Sequence, residues 1–429
     1  MSLPAIPMQR LQAVDKRLGR LVCALAQPLR LLRRAPSATL RPGRILCIKF
    51  WGIGSLQMLT AAARHLRAEH PEARIALLTL AENADFARGL CVFDEITTFD
   101  VRSRRGPLGW STLLGRIARL VLELRRARYD AVYDFEFFTR FSALVTLASG
   151  ARGTHGFAAP NVWRGGFHAR TVPFNRYWHA ARNFRALAGG EDGNEVLPRD
   201  LAPFAFTVEH ERAVDRELAR AGLAPERPFV VLNPNAGALS LERRWPAGHF
   251  AELARALVHE DALPIVFVGA PSEAAYVASI VRAVGPAPRG LLVDLSGRLA
   301  VGELAALLAR AACVVTNDSG PMHVAAALGA PTIGLFGPET PVMYGPLGDE
   351  CVGLWKPPAC SPCINVHDNK RATCVHGQPE CLVGIGVDEV LDETRRVIAR
   401  GFLRPGARFP HRRLRVVAGA PSEERVASS

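Results

Sequence analysis

The chain has 429 residues, 49% of them hydrophobic, and a formal net charge of +13 at pH 7. This length is enough for two domains, and no run of about 18 uncharged apolar residues predicts a transmembrane helix. Positive charge is concentrated at the ends, because residues 1–44 hold nine Lys or Arg and one Asp, and residues 401–429 hold six Arg and two Glu. A nucleic-acid-binding protein more often carries positive charge across its binding face, so this distribution argues against nucleic acid as a partner.

Residues 1–43 form a basic extension that ends in a linker rich in Pro, Gly and Arg. Apolar residues recur there at spacings of three and four, which predicts an amphipathic helix bent near Pro28: Leu11, Val14, Leu18, Leu21, Val22, Leu25 and Leu29. Such a helix is typical of proteins that bind an anionic membrane surface, and packing on the body of the protein is the alternative. Since the first residues lack a signal-peptide pattern, we expect a cytoplasmic protein, peripheral on the inner face of the cytoplasmic membrane.

Strands and helices alternate along residues 44–207, which we interpret as the first domain. The pattern predicts strands at residues 44–49, 75–80, 94–99 and 130–135, and helices at 56–68, 113–126 and 141–149. This alternation predicts an α/β fold with a parallel, doubly wound sheet. Residues 150–205 are less regular, and we expect them to form the edge of the domain.

Residues 208–400 repeat the pattern as a second domain, before a basic tail at residues 401–429. The predicted strands lie at residues 229–232, 264–268 and 291–294, and the predicted helices at 209–221, 247–259, 272–284, 301–312 and 387–399. In open α/β sheets the ligand binds beyond the carboxyl ends of the strands. Two such domains predict a site in the cleft between them.

The most informative stretch is residues 311–348. A buried strand is predicted at residues 313–316, a helix at 322–328 and a second strand at 330–336. Between the first strand and the helix lies N-D-S-G-P, in which Asp318 and Ser319 suit capping, Gly320 a turn and Pro321 the first helical turn. A helix N-terminus after a strand is a ready anion site, although an ordinary capped βαβ unit fits the spacing equally well.

The residue identities in this stretch resemble a known family signature. D-S-G-P-M-H at residues 318–323, followed by A-P-T-I-G-L-F-G-P-E-T-P at 330–341, resembles the signature of glycosyltransferase family nine, best known from the bacterial ADP-heptose:lipopolysaccharide heptosyltransferases. Further matches follow the family's order between residues 44 and 395, including I-L-C-I-K at 45–49, G-I-G at 52–54, N-P-N-A-G at 233–237 and R-R-W-P at 243–246. The resemblance implies the GT-B architecture, with two Rossmann-like domains facing across a cleft, and an inverting, metal-independent glycosyl transfer.

The resemblance also implies that the second domain binds a nucleotide diphosphate sugar, with ADP-heptose the suspected donor and no cofactor required. The chain has no DxD pair in a suitable loop, which agrees with metal independence. Arg243 is expected to offset the phosphate charge, and a solvated pair with Arg244 is the alternative. Glu273 is expected to accept hydrogen bonds from ribose hydroxyls, and a first-turn Glu favoured only by the helix dipole is the alternative. The full set of predicted donor-binding residues is Asn233, Asn235, Arg243, Gly269, Glu273, Asp318, Ser319, Gly320 and His323.

The general base is where the chain departs from the family. A Gly-Asp pair follows the first strand in the heptosyltransferases, and its Asp is the base; here the pair is Gly54-Ser55. A serine cannot act as a base at neutral pH without help, so another carboxylate must take the role. Glu136 follows the strand predicted at residues 130–135, and strand alternation places Asp134 on the same side. We predict Glu136 as the base with Asp134 as the fallback, and a strand-end polar residue without a catalytic role is the alternative.

Four of the nine cysteines lie close together in the sequence: Cys360, Cys363, Cys374 and Cys381. The C-S-P-C half is typical of a zinc site, whereas the second half is too widely spaced for a standard knuckle. A structural metal or redox-sensitive clamp is one interpretation, and a reduced loop is the other.

Taken with the resemblance, these residues predict a peripheral-membrane enzyme that transfers a sugar, expected to be heptose, to the lipopolysaccharide core or a related lipid-linked glycan. One alternative is a family member with another donor or acceptor. Another is a non-catalytic protein that binds a nucleotide sugar or glycolipid, which the missing Asp favours. A GT-B epimerase is a third.

Overall fold

The computed structural model describes residues 8–32, 42–102, 107–160, 162–190, 196–237, 240–364 and 373–403. Most of the predicted linker and nearly all of the basic tail lie outside these residues. Among the described residues, no helix has the length and apolar content needed to cross a membrane.

The first half of the chain contains a parallel six-stranded sheet with the order β3-β2-β1-β4-β5-β6. The central strands are buried on both faces, as expected for a parallel sheet covered by helices. The strands are β1 Arg44–Ile48, β2 Arg74–Leu80, β3 Glu95–Phe99, β4 Ala131–Asp134, β5 Gly153–Ala158 and β6 Arg170–Pro173.

The second half repeats this architecture with the order β12-β11-β10-β7-β8-β9, again with every pair parallel. The predicted doubly wound α/β class is therefore confirmed in both halves. The strands are β7 Val230–Asn233, β8 Ile265–Phe267, β9 Leu292–Asp294, β10 Cys313–Asn317, β11 Thr332–Phe336 and β12 Cys351–Trp355.

Helices cover both sheets and connect the strands. Left-handed glycines end two of them, Gly150 with φ 73° and Gly222 with φ 84°. The α-helices are α1 Met8–Arg17, α2 Gly19–Leu25, α3 Ile53–Glu69, α4 Ala84–Gly89, α5 Pro107–Ala127, α6 Arg140–Ser149, α7 Ala180–Leu187, α8 Val208–Ala221, α9 Ala247–His259, α10 Ala274–Val284, α11 Val301–Arg310, α12 Gly320–Ala327, α13 Pro341–Tyr344, α14 Glu380–Val383 and α15 Val387–Leu403.

The two halves contact each other through α3 and α12. One cluster of buried apolar side chains extends from Ile45 and Leu56 in the first half to Met322 and Val324 in the second. This shared core holds the carboxyl edges of the two sheets on opposite sides of a cleft. The boundaries of the domains at residues 44, 208 and 401 remain predictions.

The basic N-terminal segment is interrupted in two places. Leu18 separates α1 from α2, and a 3₁₀ turn, Gln27–Leu32, follows α2 around the predicted bend at Pro28. Gly19 packs against Arg140, where a Cβ on the glycine would lie 3.0 Å from the Cβ of the arginine. Asp15 accepts hydrogen bonds from the amide of Arg140 at 3.1 Å and that of Phe141 at 2.8 Å, at the start of α6. One face of the segment therefore packs on the body, as the alternative interpretation proposed.

Two regions have more regular structure than the sequence suggests. Residues 150–205 contain β5, β6 and α7, and β5 and β6 do form the edge of the first sheet. β12 was not predicted, because Cys351–Trp355 has a glycine in its centre and no clear alternation of apolar residues. It pairs with β11 at the edge of the second sheet, where a partly exposed strand is tolerated.

Candidate functional site

A cavity of about 2310 Å³ lies between the carboxyl edges of the two sheets and extends along one side of the first domain. All but one of the residues predicted for the site line this cavity. They are Ser55, Glu136, Asn233, Asn235, Arg243, Gly269, Glu273, Asp318, Ser319, Gly320 and His323. The exception is Asp134.

The first turns of α3 and α12 meet at the cleft. A Cβ on Gly54 would lie 2.6 Å from Cδ2 of His323, and a Cβ on Gly320 would overlap the side chain of Ile53. Only glycine permits this approach, so the two helix N-termini lie side by side. Neither N-cap residue, Gly52 or Ser319, makes a side-chain capping bond. The amides of two helix starts therefore face the same part of the cavity, with the positive ends of both helix dipoles.

The predicted capping of α12 by Asp318 and Ser319 is wrong. The carboxylate of Asp318 instead accepts a hydrogen bond from Nη1 of Arg243 at 3.2 Å. The hydroxyl of Ser319 accepts one from the side-chain nitrogen Nδ2 of Asn233 at 2.9 Å. Because these side chains are engaged with the neighbouring loop and strand, the helix start stays open.

Arg243 braces the loop beside this helix start. Its guanidinium donates to the backbone oxygen of Asp318 at 2.9 Å and to that of Ala236 at 2.6 Å. It is mostly buried and lines the cavity, rather than forming a solvated pair with Arg244. The cation thus lies next to the α12 N-terminus, where it neutralises the charge of Asp318, so that no unpaired carboxylate faces the helix start.

The ends of β7 and β8 contribute polar groups to the same wall. Nδ2 of Asn235 donates to Asn233 Oδ1 at 3.0 Å and to the oxygen of Val268 at 2.9 Å. Gly269 allows this contact, because a Cβ there would lie 2.7 Å from Nδ2 of Asn235. Oδ1 of Asn235 is buried and has no hydrogen-bond partner among the described residues. Asn235 therefore ties the ends of β7 and β8 together and leaves one buried acceptor unsatisfied in this wall.

Glu273 accepts a hydrogen bond at the start of its own helix and also lines the cavity. Its Oε2 accepts a hydrogen bond from the amide of Ala270 at 3.0 Å, at the turn that leads into α10. Its Oε1 lies 3.9 Å from Nη2 of Arg244, and the residue lines the cavity. The carboxylate is therefore held at the end of β8, and its structural role does not remove it from the site.

Glu136 lies at the carboxyl end of β4 and is 3% exposed. Its Oε1 accepts hydrogen bonds from Nζ of Lys49 at 3.1 Å and from the amide of Phe50 at 2.7 Å. Its Oε2 has one long contact, with the hydroxyl of Thr139 at 3.5 Å. Lys49 therefore pairs with one carboxylate oxygen of Glu136 in a buried position, and the other oxygen has only this long contact among the described residues.

Asp134 does not point the same way as Glu136, contrary to the alternation argument. It is fully buried outside the cavity lining, paired with Arg164 and 3.1 Å from Nε2 of His168. Burial alone would raise the pKa of Asp134, but the charge of Arg164 and hydrogen bonds from His168 and Ser142 bring it below its usual value. Contact with an acceptor hydroxyl requires access to the cleft, so this placement does not favour the fallback role.

Sequence reasoning missed Lys49 and Arg164. Lys49 directly follows β1, which pairs with β4. Glu136 lies two residues after the end of β4. Opposite charges just beyond the ends of two neighbouring strands are a signal that could have identified the pair. Arg164 donates to the backbone oxygens of Glu136 and Phe137, both at 3.3 Å, and so fixes the loop that carries Glu136. It lies in an irregular glycine-rich stretch without a sequence signal.

All nine cysteines are free thiols. Cys360 and Cys363 are exposed, Cys374 is partly exposed and Cys381 is buried. Burial raises the pKa of Cys363, and the nearby Cys360 and Cys374 raise it further. Among the described residues, no group of three or more His, Cys, Asp or Glu side chains is arranged to hold a metal ion.

Comparisons with known proteins agree with this geometry. The sequence model of one family, glycosyltransferase family 9 (heptosyltransferase), matches residues 117–374. Lipopolysaccharide heptosyltransferase 2 of Salmonella typhimurium is 26% identical over 366 residues, covering 83% of this chain and 99% of the relative. The solved E. coli ADP-heptose LPS heptosyltransferase II superposes with a TM-score of 0.65 at 23% identity, covering 83% of this chain and 99% of that one. An E. coli heptosyltransferase with ADP gives a TM-score of 0.58 at 20% identity, over 82% and 99%. The fold is therefore GT-B, as the sequence predicts.

Proposed function

The chain belongs to glycosyltransferase family 9, and on that premise we propose that it transfers heptose from a nucleotide diphosphate heptose to the lipopolysaccharide core. The Salmonella typhimurium relative, which is matched over 99% of its length, is a lipopolysaccharide heptosyltransferase. ADP is the expected nucleotide, since a solved structure of the same fold is described with ADP. The acceptor is a lipid-linked glycan.

The observation that carries this proposal is the meeting of two uncapped helix N-termini, those of α3 and α12, at the cleft. Each helix start carries about half a positive elementary charge and several free amides. Together they offer the positive potential that a departing nucleoside diphosphate needs, while Arg243 neutralises the nearby Asp318. This supports a transfer that does not require a divalent metal at the diphosphate.

Glu136 is the proposed general base. As an acceptor hydroxyl oxygen attacks the anomeric carbon, its proton passes to Oε2 of Glu136, while the bond from the anomeric carbon to the diphosphate oxygen breaks and its electron pair leaves with ADP. Attack from the side opposite the leaving group inverts the anomeric centre. Lys49 orients the carboxylate through its ion pair, and Ser55 lines the cavity without basic character.

Association with an anionic membrane surface is the second part of the proposal, at the inner face of the cytoplasmic membrane. Leu21 and Leu25 on α2 are 58% and 73% exposed, next to the exposed Arg17 and Arg20. An exposed apolar face beside basic residues supports binding at a lipid interface. Sedimentation with anionic vesicles should fall as salt rises, and the absence of any sedimentation would contradict this part.

A donor and acceptor screen tests the transfer itself. The protein is incubated with ADP-heptose, other nucleotide sugars and a lipopolysaccharide core acceptor, and the products are identified by mass spectrometry. We expect the acceptor to gain the mass of one heptose from ADP-heptose. Transfer from another nucleotide sugar alone would favour a family member with a different donor, and donor binding without any transfer would favour the non-catalytic alternative.

A further inference from the structure

The cavity has a second arm that leaves the cleft along the outer side of the first domain, which we call the trench. α6 forms its floor, and both α2 and α5 contact α6 to form its walls. Apolar side chains line both walls: Leu18, Val22 and Leu29 on one side, and Trp110, Leu114 and Ile117 on the other. From Trp110 to Val121 the α5 wall is about 16 Å long, at about 1.5 Å per helical residue.

These wall residues are exposed to an unusual degree for large apolar side chains. Leu18 and Trp110 are each 53% exposed, and Leu114 is 64% exposed. A contiguous apolar surface of this kind, kept open on a folded domain, usually marks a binding site. Its elongated shape between two helices suits a flexible hydrocarbon chain.

The trench is continuous with the acceptor side of the cleft. Phe138, Thr139 and Phe141 line the cavity between the trench walls and Glu136. Arg17 and Arg20 flank Leu18 and are exposed. An apolar channel with basic residues nearby matches an amphiphile whose acyl chain lies in the channel and whose glycan hydroxyls, rather than its anionic groups, face Glu136.

We propose that the trench binds an acyl chain of the lipid-linked acceptor and so positions its glycan at Glu136. This inference rests on the proposed function, because it names where the lipid part of that acceptor lies. One wall belongs to the N-terminal segment. The superposition with the solved E. coli heptosyltransferase II covers 99% of that chain but 83% of this one.

The trench is distinct from the surface that suits the membrane. Leu21 on α2 and Leu122 on α5 are 58% and 55% exposed but do not line the cavity. The same two wall regions thus carry one set of leucines inside the trench and another outside it. This arrangement supplies a matched pair of double variants, Leu18→Gln/Leu114→Gln inside and Leu21→Gln/Leu122→Gln outside.

The first experiment measures chain binding without any transfer reaction. The full chain is titrated with a lysophosphatidylglycerol that carries a brominated acyl chain, below its micelle concentration, and tryptophan quenching is recorded. We expect quenching that Trp110→Phe largely removes. The inside variant should weaken binding about tenfold or more, because two leucines no longer contact the chain, whereas the outside variant should bind normally. No quenching, or equal loss in both double variants, would overturn the acyl-chain site.

The second experiment asks whether the chain in the trench is that of the acceptor. Transfer is compared between a lipopolysaccharide core acceptor and the same glycan freed of its acyl chains. We expect the acylated acceptor to have the lower KM, and the inside variant to lose that preference with little change in kcat. An unchanged preference would overturn the assignment to the acceptor. Absence of transfer to either acceptor would contradict the proposed function instead, and the quenching experiment would still decide whether the trench binds an acyl chain.

Discussion

Nζ of Lys49 lies 3.1 Å from Oε1 of Glu136, and both side chains are almost completely buried where β1 and β4 end. The amide of Phe50 donates to the same oxygen. Lys49 also lies over the ring of Phe137, 5.2 Å from its centroid. This pair holds a carboxylate and an ammonium group together in a buried position beside the cavity, where we propose that Glu136 acts as the base.

Loss of Lys49 should therefore destabilise the fold strongly. In Lys49→Met the carboxylate of Glu136 stays buried without its partner, and breaking a buried pair in this way typically costs about 3–5 kcal/mol. Urea denaturation at pH 7 measures the loss. Lys356→Met is the control, since its ion pair with Glu389 is 52% and 36% exposed and should contribute at most about 1 kcal/mol. The double variant Lys49→Met/Glu136→Gln should be more stable than Lys49→Met alone, and an additive loss would contradict the pairing.

The close approach of α3 and α12 predicts an effect on donor binding. Gly54→Ala places a methyl group against His323, which must move the two helix starts apart. We expect ADP to bind about tenfold more weakly, because the diphosphate loses part of its combined amide contacts. Gly115→Ala on α5, where a Cβ meets nothing within 4 Å, is the matched control. Equal ADP affinity of both variants in calorimetry would argue against a diphosphate at this junction.

Binding of ADP should not depend on a divalent metal. We expect this because two helix N-termini already supply positive potential at the cleft and Arg243 neutralises the nearby Asp318. Calorimetry with ADP in EDTA and in Mg²⁺ should give dissociation constants that agree within a few-fold. A strict requirement for Mg²⁺ would contradict this part of the account.

His179 predicts a loss of stability in acid. Its ring is buried, its Nδ1 accepts from the amide of Ala181 at 3.2 Å, and its Nε2 lies 3.0 Å from the oxygen of Gly345 in the other half of the chain. Burial lowers the pKa of His179 to about 4. The unfolded chain therefore protonates His179 below about pH 6.5, whereas the folded chain does so only near pH 4. The stability that neutral His179 contributes is thus fully present above pH 6.5 and is lost as the pH falls from 6.5 to 4.

The size of this loss is about 3 kcal/mol by pH 4, at about 1.4 kcal/mol for each pKa unit. Unfolding free energies of the unmodified protein and of His179→Gln, measured from pH 7 to pH 4, provide the test. The variant should be less stable at pH 7 but should lose less on acidification. Parallel pH profiles would show that His179 is not the group responsible.

The sequence predicted those parts of the site that depend on local chemistry. G-I-G at residues 52–54 and S-G-P at 319–321 marked the two helix starts, and apolar runs marked most of the strands. The bond between Lys49 and Glu136 could not be read in this way, since it joins residues 87 positions apart and depends on which strands become neighbours. The capping role given to Asp318 was wrong for a similar reason. Its partner, Arg243, lies 75 residues away and outcompetes the local amide.

The most direct test of the account compares the unmodified protein with Glu136→Gln in heptose transfer. Both proteins are incubated in EDTA with ADP-heptose and a lipopolysaccharide core acceptor, and ADP affinity is measured in parallel. We expect transfer by the unmodified protein, a rate about 10²–10⁴-fold lower for Glu136→Gln, and equal ADP affinity. Ser55→Ala should retain most of the rate. Near-full turnover by Glu136→Gln, or no transfer by the unmodified protein, would contradict it.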